Sequence, residues 1–375
     1  MRPITVLSNY RPDDLRSMIG YADMVLRYLR KAGYKAEEVF PPAVFGSVRP
    51  GRTAGRIAVN LREIDRFLLA PTLWRRRSFD LVHIIDHGNA FYLNSLRRSA
   101  AIVTVHDVVP LLMITGRLPG PHHNRKRRWI HEMNARAMAK ADRLVCVSEA
   151  TRRDLLELTK ADPAKVVVIP NAMFQPMYPA SEEAQLELRQ RLRIGAHDRV
   201  VLHVGSNRSR KNRDTVVEAF ARAATGRSDL RLVLVGPPSA ELSALAARLG
   251  VADRLMIFPS LSAGDLATMY TLAELLLLPS LYEGFGYPVL EAQGCRTPVV
   301  CADAGSLPEV AGDSAVLRDP MDVAGYADAI LRILDDPAFA ADLVRKGEAN
   351  LRRFDAADWF AKYEAIYREF GVTPH

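Results

Sequence analysis

Long apolar runs are absent from this 375-residue chain. A membrane-spanning helix takes about 20 consecutive apolar residues, and the densest stretches stop well short of that. Leu275–Leu278 runs into Pro279, and Ala100–Val105 runs into His106-Asp107. The opening Met1-Arg2-Pro3-Ile4-Thr5-Val6-Leu7 is too short for the apolar segment of a signal peptide and reads as a first strand. Cysteine is scarce: Cys146, Cys295 and Cys301, with no CxxC pair, give neither a disulfide framework nor a zinc site. A reducing, cytoplasmic home is expected. No clustered Asp pair resembles a Mg²⁺ site. Asp86-His87 and His122-His123 have no partners at ligand spacing, so neither a metal nor another cofactor is expected. The basic runs Arg75–Arg77 and Arg125–Arg128 have no aromatics nearby beyond Trp74 and Trp129, and no nucleic-acid recognition motif accompanies them.

Charge, by contrast, is plentiful and uneven. The whole chain carries a net +8. Residues 1–173 hold 29 Lys and Arg against 16 Asp and Glu, a net +13, and the remainder holds 22 against 27, a net −5. Halves of opposite sign suggest two domains with different partners. Short β-branched runs alternate with helical patterns along the chain, predicting strands over Ile4–Leu7, Leu81–Ile85, Ala101–Val105, Leu144–Val147 and Val166–Ile169. The second half adds Val200–Val204, Leu232–Val235, Leu255–Phe258, Leu275–Leu278 and Val299–Cys301. Helices are expected over Met18–Ala32, Arg128–Ala141 and Glu149–Leu158, the last capped by Ser148. Strands separated by helices need crossover connections and therefore parallel sheets. The absence of a fixed period excludes a solenoid. The pattern predicts two doubly wound α/β domains, 1–173 and 174–355, with Pro170, Pro176 and Pro179 interrupting regular structure around the boundary. A last helix, within 356–375, carries an aromatic stripe from Trp359 to Phe370 that needs an apolar surface to cover.

The segment richest in chemistry is Glu283-Gly284-Phe285-Gly286-Tyr287-Pro288-Val289-Leu290-Glu291. It follows a predicted strand, and Pro288 suits the start of a helix. Two glycines let a ligand approach the backbone, and the amides of the first helical turn are donors for an anion. Glu283 and Glu291 make poor phosphate ligands but good acceptors for sugar hydroxyls. Phosphate donors next to hydroxyl acceptors suit a sugar joined to a nucleoside diphosphate.

This segment resembles the EX7E signature of glycosyltransferase family 4, retaining enzymes of GT-B fold. Other segments are similar to the family in the same order: Thr104-Val105-His106-Asp107, Ala141–Glu149, Val167–Asn171, His203-Val204-Gly205 with Ser209-Arg210-Lys211-Asn212, and Ala304–Val310. The resemblance implies two Rossmann-like domains facing a central cleft, with the C-terminal helix crossing back to the first domain. It also implies roles. Lys211, with Arg210 beside it, would bind the diphosphate near Gly205, and Glu291 would bind the ribose. Glu283 and the amides of Gly284, Phe285 and Gly286 would hold the donor sugar. His106 would reach that sugar from the first domain, Gly20 in the loop after the first strand would lie near the diphosphate, and the base would stack near Phe258-Pro259. The chain departs from the family at Met18-Ile19-Gly20, Ser206, Ala172 and Pro259, where glycines or an arginine are usual. None of these removes a proposed charge partner.

The implied reaction is hexose transfer from a UDP- or GDP-linked donor to a glycan or lipid-linked acceptor, with the configuration retained by front-face attack. Lys211 and Arg210 would stabilise the departing charge without a metal; His106, Glu283 and Lys211 are the catalytic candidates. A GT-B sugar-nucleotide epimerase and a basic nucleic-acid-binding protein remain alternatives. The +13 first half, with Trp129 beside Arg125–Arg128 and Trp74 beside Arg75–Arg77, also suits peripheral docking on an anionic membrane from its cytoplasmic face.

Overall fold

The computed structural model describes residues 3–13, 15–46, 61–120 and 124–374. His122 and His123 therefore lie outside the described residues. The chain divides into two compact units. Unit 1 takes in the chain up to Ile114, residues 122–170 and everything from Ala357 onward, and unit 2 takes in 115–121 and Asn171–Ala356. The break between them follows Pro170, slightly ahead of the expected position.

Unit 1 is built on a six-stranded parallel sheet ordered β2-β1-β3-β4-β5-β6. Its strands are β1 Ile4–Leu7, β2 Ala36–Val39, β3 Ser78–Ile84, β4 Arg97–Val105, β5 Arg143–Cys146 and β6 Val166–Val168. The inner strands are buried along most of their length, as parallel strands covered by helices on both faces must be. Strand β2 is absent from the sequence expectation because Ala-Glu-Glu-Val has no apolar run; it sits at the sheet edge with only Val39 buried. Helix Glu149–Leu158 starts where expected, with the Ser148 hydroxyl accepting from the Thr151 amide. Trp74, expected beside Arg75–Arg77 as a surface aromatic, is instead buried edge-on against Tyr92, with ring centroids 4.8 Å apart. Sequence-adjacent arginines could not reveal which way that indole turns.

The C-terminal helix, Ala356–Glu369, belongs to unit 1. It buries Trp359, Tyr363, Ile366 and Tyr367, while Phe360 and Phe370 are half-buried. Its tyrosines meet a polar seam on the sheet. Tyr363 Oη lies 3.0 Å from both Tyr21 Oη and Thr104 Oγ1. His83, on β3, places Nε2 2.8 Å from Thr104 Oγ1 and Nδ1 2.8 Å from Tyr367 Oη. The seam satisfies polar atoms that would otherwise be costly to bury.

Unit 2 has a second six-stranded parallel sheet, ordered β12-β11-β10-β7-β8-β9. The strands are β7 Arg199–Val204, β8 Leu230–Val235, β9 Leu255–Phe258, β10 Ala273–Leu278, β11 Val299–Ala302 and β12 Val316–Arg318. The three-residue β12 also escaped the sequence expectation, being too short for a periodic signal. Val201, Phe220, Leu232, Leu275 and Ile330 belong to one core cluster between sheet and helices. In each sheet the first strand has its successor on one side and a later strand on the other: β1 between β2 and β3, β7 between β8 and β10. Such a reversal opens a crevice at the carboxyl ends of the strands.

Burial, with a contribution from nearby His106, lowers the His83 pKa to about 3, against about 6.5 when exposed to water. Between those values the unfolded chain binds more protons than the folded one, so stability is lost as the pH falls. The Tm should drop between pH 7 and 4. A His83→Gln variant should start from a lower Tm at pH 7 but lose less of it on acidification. Parallel curves for the two proteins would contradict the assignment.

Candidate active site

The reversal in unit 2 brings two loops together. One leaves β7 through Gly205 and enters a short 3-10 turn, Ser209–Lys211; the other leaves β10 and runs through Glu283–Gly286 into helix Tyr287–Gly294. They are joined by backbone, the Leu281 amide donating to the Arg210 carbonyl at 2.8 Å. The joint carries three charges. Lys211 Nζ donates to Glu283 Oε1 at 2.5 Å, and Arg210 Nη1 donates to Glu283 Oε2 at 2.8 Å and to the Tyr282 carbonyl at 2.9 Å. The Glu283 side chain is 7% exposed, that of Lys211 11% and that of Arg210 13%, so the cluster is largely removed from water. Ser280 Oγ adds a further bond to Glu283 Oε1 at 2.8 Å. Burial pushes the Glu283 carboxyl up, but Lys211 and Arg210 outweigh it and hold it below the usual range.

The surrounding backbone is shaped to fit. Ser306 Oγ donates to the carbonyls of Glu283 and Phe285. Gly305, at φ +58°, lies so close that a Cβ there would come 2.8 Å from the Glu283 carbonyl oxygen. Gly286, at φ +109°, starts the helix, and a Cβ there would meet Leu307. Among the described residues the amides of Phe285 and Gly286 donate to no protein group. They are therefore available to an anion, as is usual at a helix start. Phe285 itself is buried, packing its ring on Tyr287 and Phe354.

Glu291, about one turn into helix Tyr287–Gly294, accepts from Tyr270 Oη at 2.8 Å. Burial raises its pKa, and the Tyr270 bond and nearby Lys211 only partly offset that. Phe258, at the end of β9, is tied in through the backbone: its carbonyl accepts from the Gly236 amide at 2.8 Å, and Gly236 abuts the Gly205 carbonyl. His203, behind Gly205 on β7, is fully buried and donates Nδ1–H to the Leu277 carbonyl at 2.9 Å; burial lowers its pKa to about 4, keeping it neutral.

The two expected site residues of unit 1 differ. His106 ends β4, with Nε2 2.8 Å from the Ile85 carbonyl and its ring edge-on to Tyr21. Burial lowers its pKa, and with Nε2–H donated to Ile85 the neutral ring offers Nδ1 as an acceptor. Gly20 does not lie in a loop. Helix Arg16–Lys31 includes it, as did the helix expected over Met18–Ala32, so the loop position implied by the resemblance does not hold; a Cβ there would meet nothing within 4 Å. Without a second glycine before it, Met18-Ile19-Gly20 winds into the first turns of the helix. Ser280, Ser306 and Tyr270, which hold the two glutamates, were missed; only Ser306 lay within a segment already singled out.

Replacing Gly305 by Ala should displace Glu283, since the neighbouring atoms are backbone, at a cost on the order of 1–3 kcal/mol. Urea denaturation measures this, and an unchanged midpoint would contradict the packing described.

Among the described residues there is no group of three or more His, Cys, Asp or Glu able to hold a metal ion, and no helix long and apolar enough to cross a membrane. Residues 184–350 match the family model for glycosyl transferases group 1, and residues 21–173 match that for glycosyltransferase family 4. The chain is 36% identical over 279 residues to the D-inositol 3-phosphate glycosyltransferase of Acidothermus cellulolyticus, covering 71% of this chain and 60% of that one. It is 32% identical over 324 residues to that of Kineococcus radiotolerans, covering 78% and 72%. It is also 29% identical to O-antigen chain mannosyltransferase B of Escherichia coli, covering 80% and 79%. The chain thus spans about three fifths of the length of the first of these relatives. Sucrose-phosphate synthase from Thermosynechococcus elongatus superposes with a TM-score of 0.77 at 21% identity, covering 98% of this chain and 99% of that one. An Anabaena protein crystallised with UDP and glucose gives 0.73 at 19%, covering 98% and 100%. These likenesses establish the GT-B fold.

Proposed function

The chain belongs to glycosyltransferase family 4, and from that premise we propose that it is a retaining glycosyltransferase. It moves a hexose from a UDP- or GDP-linked donor to a glycan or lipid-linked acceptor, without a metal. The observation that carries this reading is the buried Arg210–Lys211–Glu283 cluster at the switch point of unit 2, beside the available amides of Phe285 and Gly286. Two cations and two amides at one crevice suit a diphosphate, and the buried Glu283 with the half-buried Glu291 suits hydroxyls.

In the unliganded protein, Glu283 holds both cations. The incoming diphosphate takes them over, and the released carboxylate accepts hydrogen bonds from the donor sugar. Glu291 accepts from the ribose. In the transfer step the bond between the anomeric carbon and the β-phosphate oxygen breaks, and the acceptor oxygen bonds that carbon on the same face. The acceptor proton passes to the departing phosphate oxygen, so no side chain acts as base. Lys211, Arg210 and the amides stabilise the charge developing on the diphosphate. For His106, neutral, the reading is a role in positioning a substrate hydroxyl through Nδ1.

This exchange gives opposite signs for two substitutions. Lys211→Ala should weaken nucleoside diphosphate binding by about 1.5–3 kcal/mol, the loss of a charge-assisted contact. Glu283→Gln should tighten it, on the order of tenfold or 1.4 kcal/mol, while transfer collapses. Calorimetry with UDP and GDP reads both, and weaker binding by Glu283→Gln would refute the exchange. Activity should survive EDTA; loss restored by Mg²⁺ or Mn²⁺ would contradict the metal-free step.

We further propose that unit 1 docks on an anionic membrane. Trp129 is 59% exposed on helix Arg125–Met138, and exposed Ile64 and Leu68 lie across a groove of about 570 Å³ rimmed by Arg75 and Lys126. Apolar side chains flanked by Arg75 and by Lys126, the latter paired with Glu63, suit an anionic interface, each unpaired basic residue adding about 1 kcal/mol. The protein should float with anionic vesicles at low salt, sediment with neutral ones, and be released as salt screens the field. Failure to float with anionic vesicles would end this proposal.

A further inference from the structure

The ring of His106 is held from two sides. Its Nε2 lies 2.8 Å from the carbonyl of Ile85, the residue that follows β3. The ring of Tyr21, on helix Arg16–Lys31, stands at 90° to the imidazole with centroids 4.8 Å apart. Edge-on aromatic contacts are favourable but weak, so this one orients the imidazole only as far as Tyr21 is itself fixed. The group that fixes Tyr21 is 342 positions away. Tyr21 Oη lies 3.0 Å from Tyr363 Oη on the C-terminal helix.

Tyr363 sits at a junction. Its Oη is also 3.0 Å from Oγ1 of Thr104, two residues before His106 on β4. Thr104 Oγ1 is in turn 2.8 Å from Nε2 of His83, two residues before Ile85 on β3, and His83 Nδ1 is 2.8 Å from Tyr367 Oη. Four hydrogen bonds thus run in one line, Tyr21–Tyr363–Thr104–His83–Tyr367, through side chains that are each 5% exposed or less. Burial keeps His83 neutral, so each of the five groups has one proton to donate and all four bonds can form together. Such bonds add little net stability over apolar packing, and any one left unmade is costly. What they add is direction. Tyr363 ties the helix that carries Tyr21 to the strand that carries His106, and the line continues to the strand that ends at the acceptor of its Nε2–H.

We propose that Tyr363 is a positioning residue for His106: through Tyr21 and Thr104 it holds the imidazole where Nε2–H is donated to Ile85 and Nδ1 is left as an acceptor. The use of that acceptor rests on the reading of His106 as a residue that positions a substrate hydroxyl; the orientation of the ring does not.

The test is heteronuclear NMR of the histidine ring nitrogens in the full chain, with His106 assigned by its loss in His106→Gln. The parent should show His106 as a single tautomer protonated at Nε2. Tyr363→Phe removes the junction hydroxyl alone, and Tyr21→Phe keeps the ring against His106 while removing its tie. Both should move the two nitrogen signals of His106 toward each other, as the freed ring samples both tautomers. Should Tyr363→Phe fail to fold, Tyr21→Phe decides. Tyr367→Phe cuts the far end of the line and should lower the Tm while leaving the His106 signals in place. Parental His106 signals in either folded variant, or an equal shift in Tyr367→Phe, would mean that the line only braces the fold and would overturn the proposal. The reading of His106 is separable: if His106→Gln releases UDP from UDP-glucose and GDP from GDP-mannose as fast as the parent, that reading fails, and the tautomer signals still decide what positions the ring.

Discussion

A carboxylate shared by two cations, Glu283 between Lys211 and Arg210, is the interaction on which the functional half of this molecule turns. Burying three charges is expensive, and an ion pair in the interior often stabilises no more than apolar residues of the same size would. Stability is therefore a weak reason for this cluster. A site prepared for an anion is a better one. The cations must be held near the crevice before the diphosphate arrives, and an internal carboxylate keeps them there without leaving them uncompensated. The cost of their desolvation is met during folding rather than during binding.

The same logic explains the glycines and serines around the cluster. Gly305 and Gly286 are needed because neighbouring atoms leave no space for a Cβ and because their φ values are positive. Ser306 ties the Glu283 and Phe285 carbonyls down, so the loop that carries the Phe285 and Gly286 amides is held in place. Preorganised donors of this kind lose little on reorganisation when charge develops. Unit 1 follows a parallel plan with different chemistry: the crevice at its switch point is lined by Asn9 and Asn89 amides, the carboxylates of Asp86 and Glu63, and Arg66 and Arg127. Its sheet is braced by the buried His83–Thr104–Tyr363 seam under the C-terminal helix.

Much of this was legible in the sequence. The alternation of short β-branched runs with helical patterns led to ten of the strands, because inner parallel strands are nearly continuous apolar runs. Edge strands are not: Ala36–Val39 and Val316–Arg318 carry charge or are too brief, and they escaped notice. The segment from Glu283 to Glu291 announced an anion-binding turn by its glycines and Pro288. Its pairing with Lys211 and Arg210 did not show, since those residues lie more than 70 positions away and meet Glu283 only across adjacent strands. For Gly20 the helical pattern from Met18 onward was the better guide, since the loop position implied by the resemblance is replaced by the first turns of helix Arg16–Lys31. Trp74 and Trp129, each beside a basic run, looked alike in sequence and proved opposite in burial.

The most direct test of the account is a crystal structure of the protein with a nucleoside diphosphate bound. Phosphate oxygens should lie on Lys211 Nζ, Arg210 and the amides of Phe285 and Gly286. The Glu283 carboxylate should then stand apart from both cations, beyond the roughly 4 Å of an ion pair. A nucleotide bound with the Lys211–Glu283 and Arg210–Glu283 pairs intact, or bound elsewhere in unit 2, would contradict it.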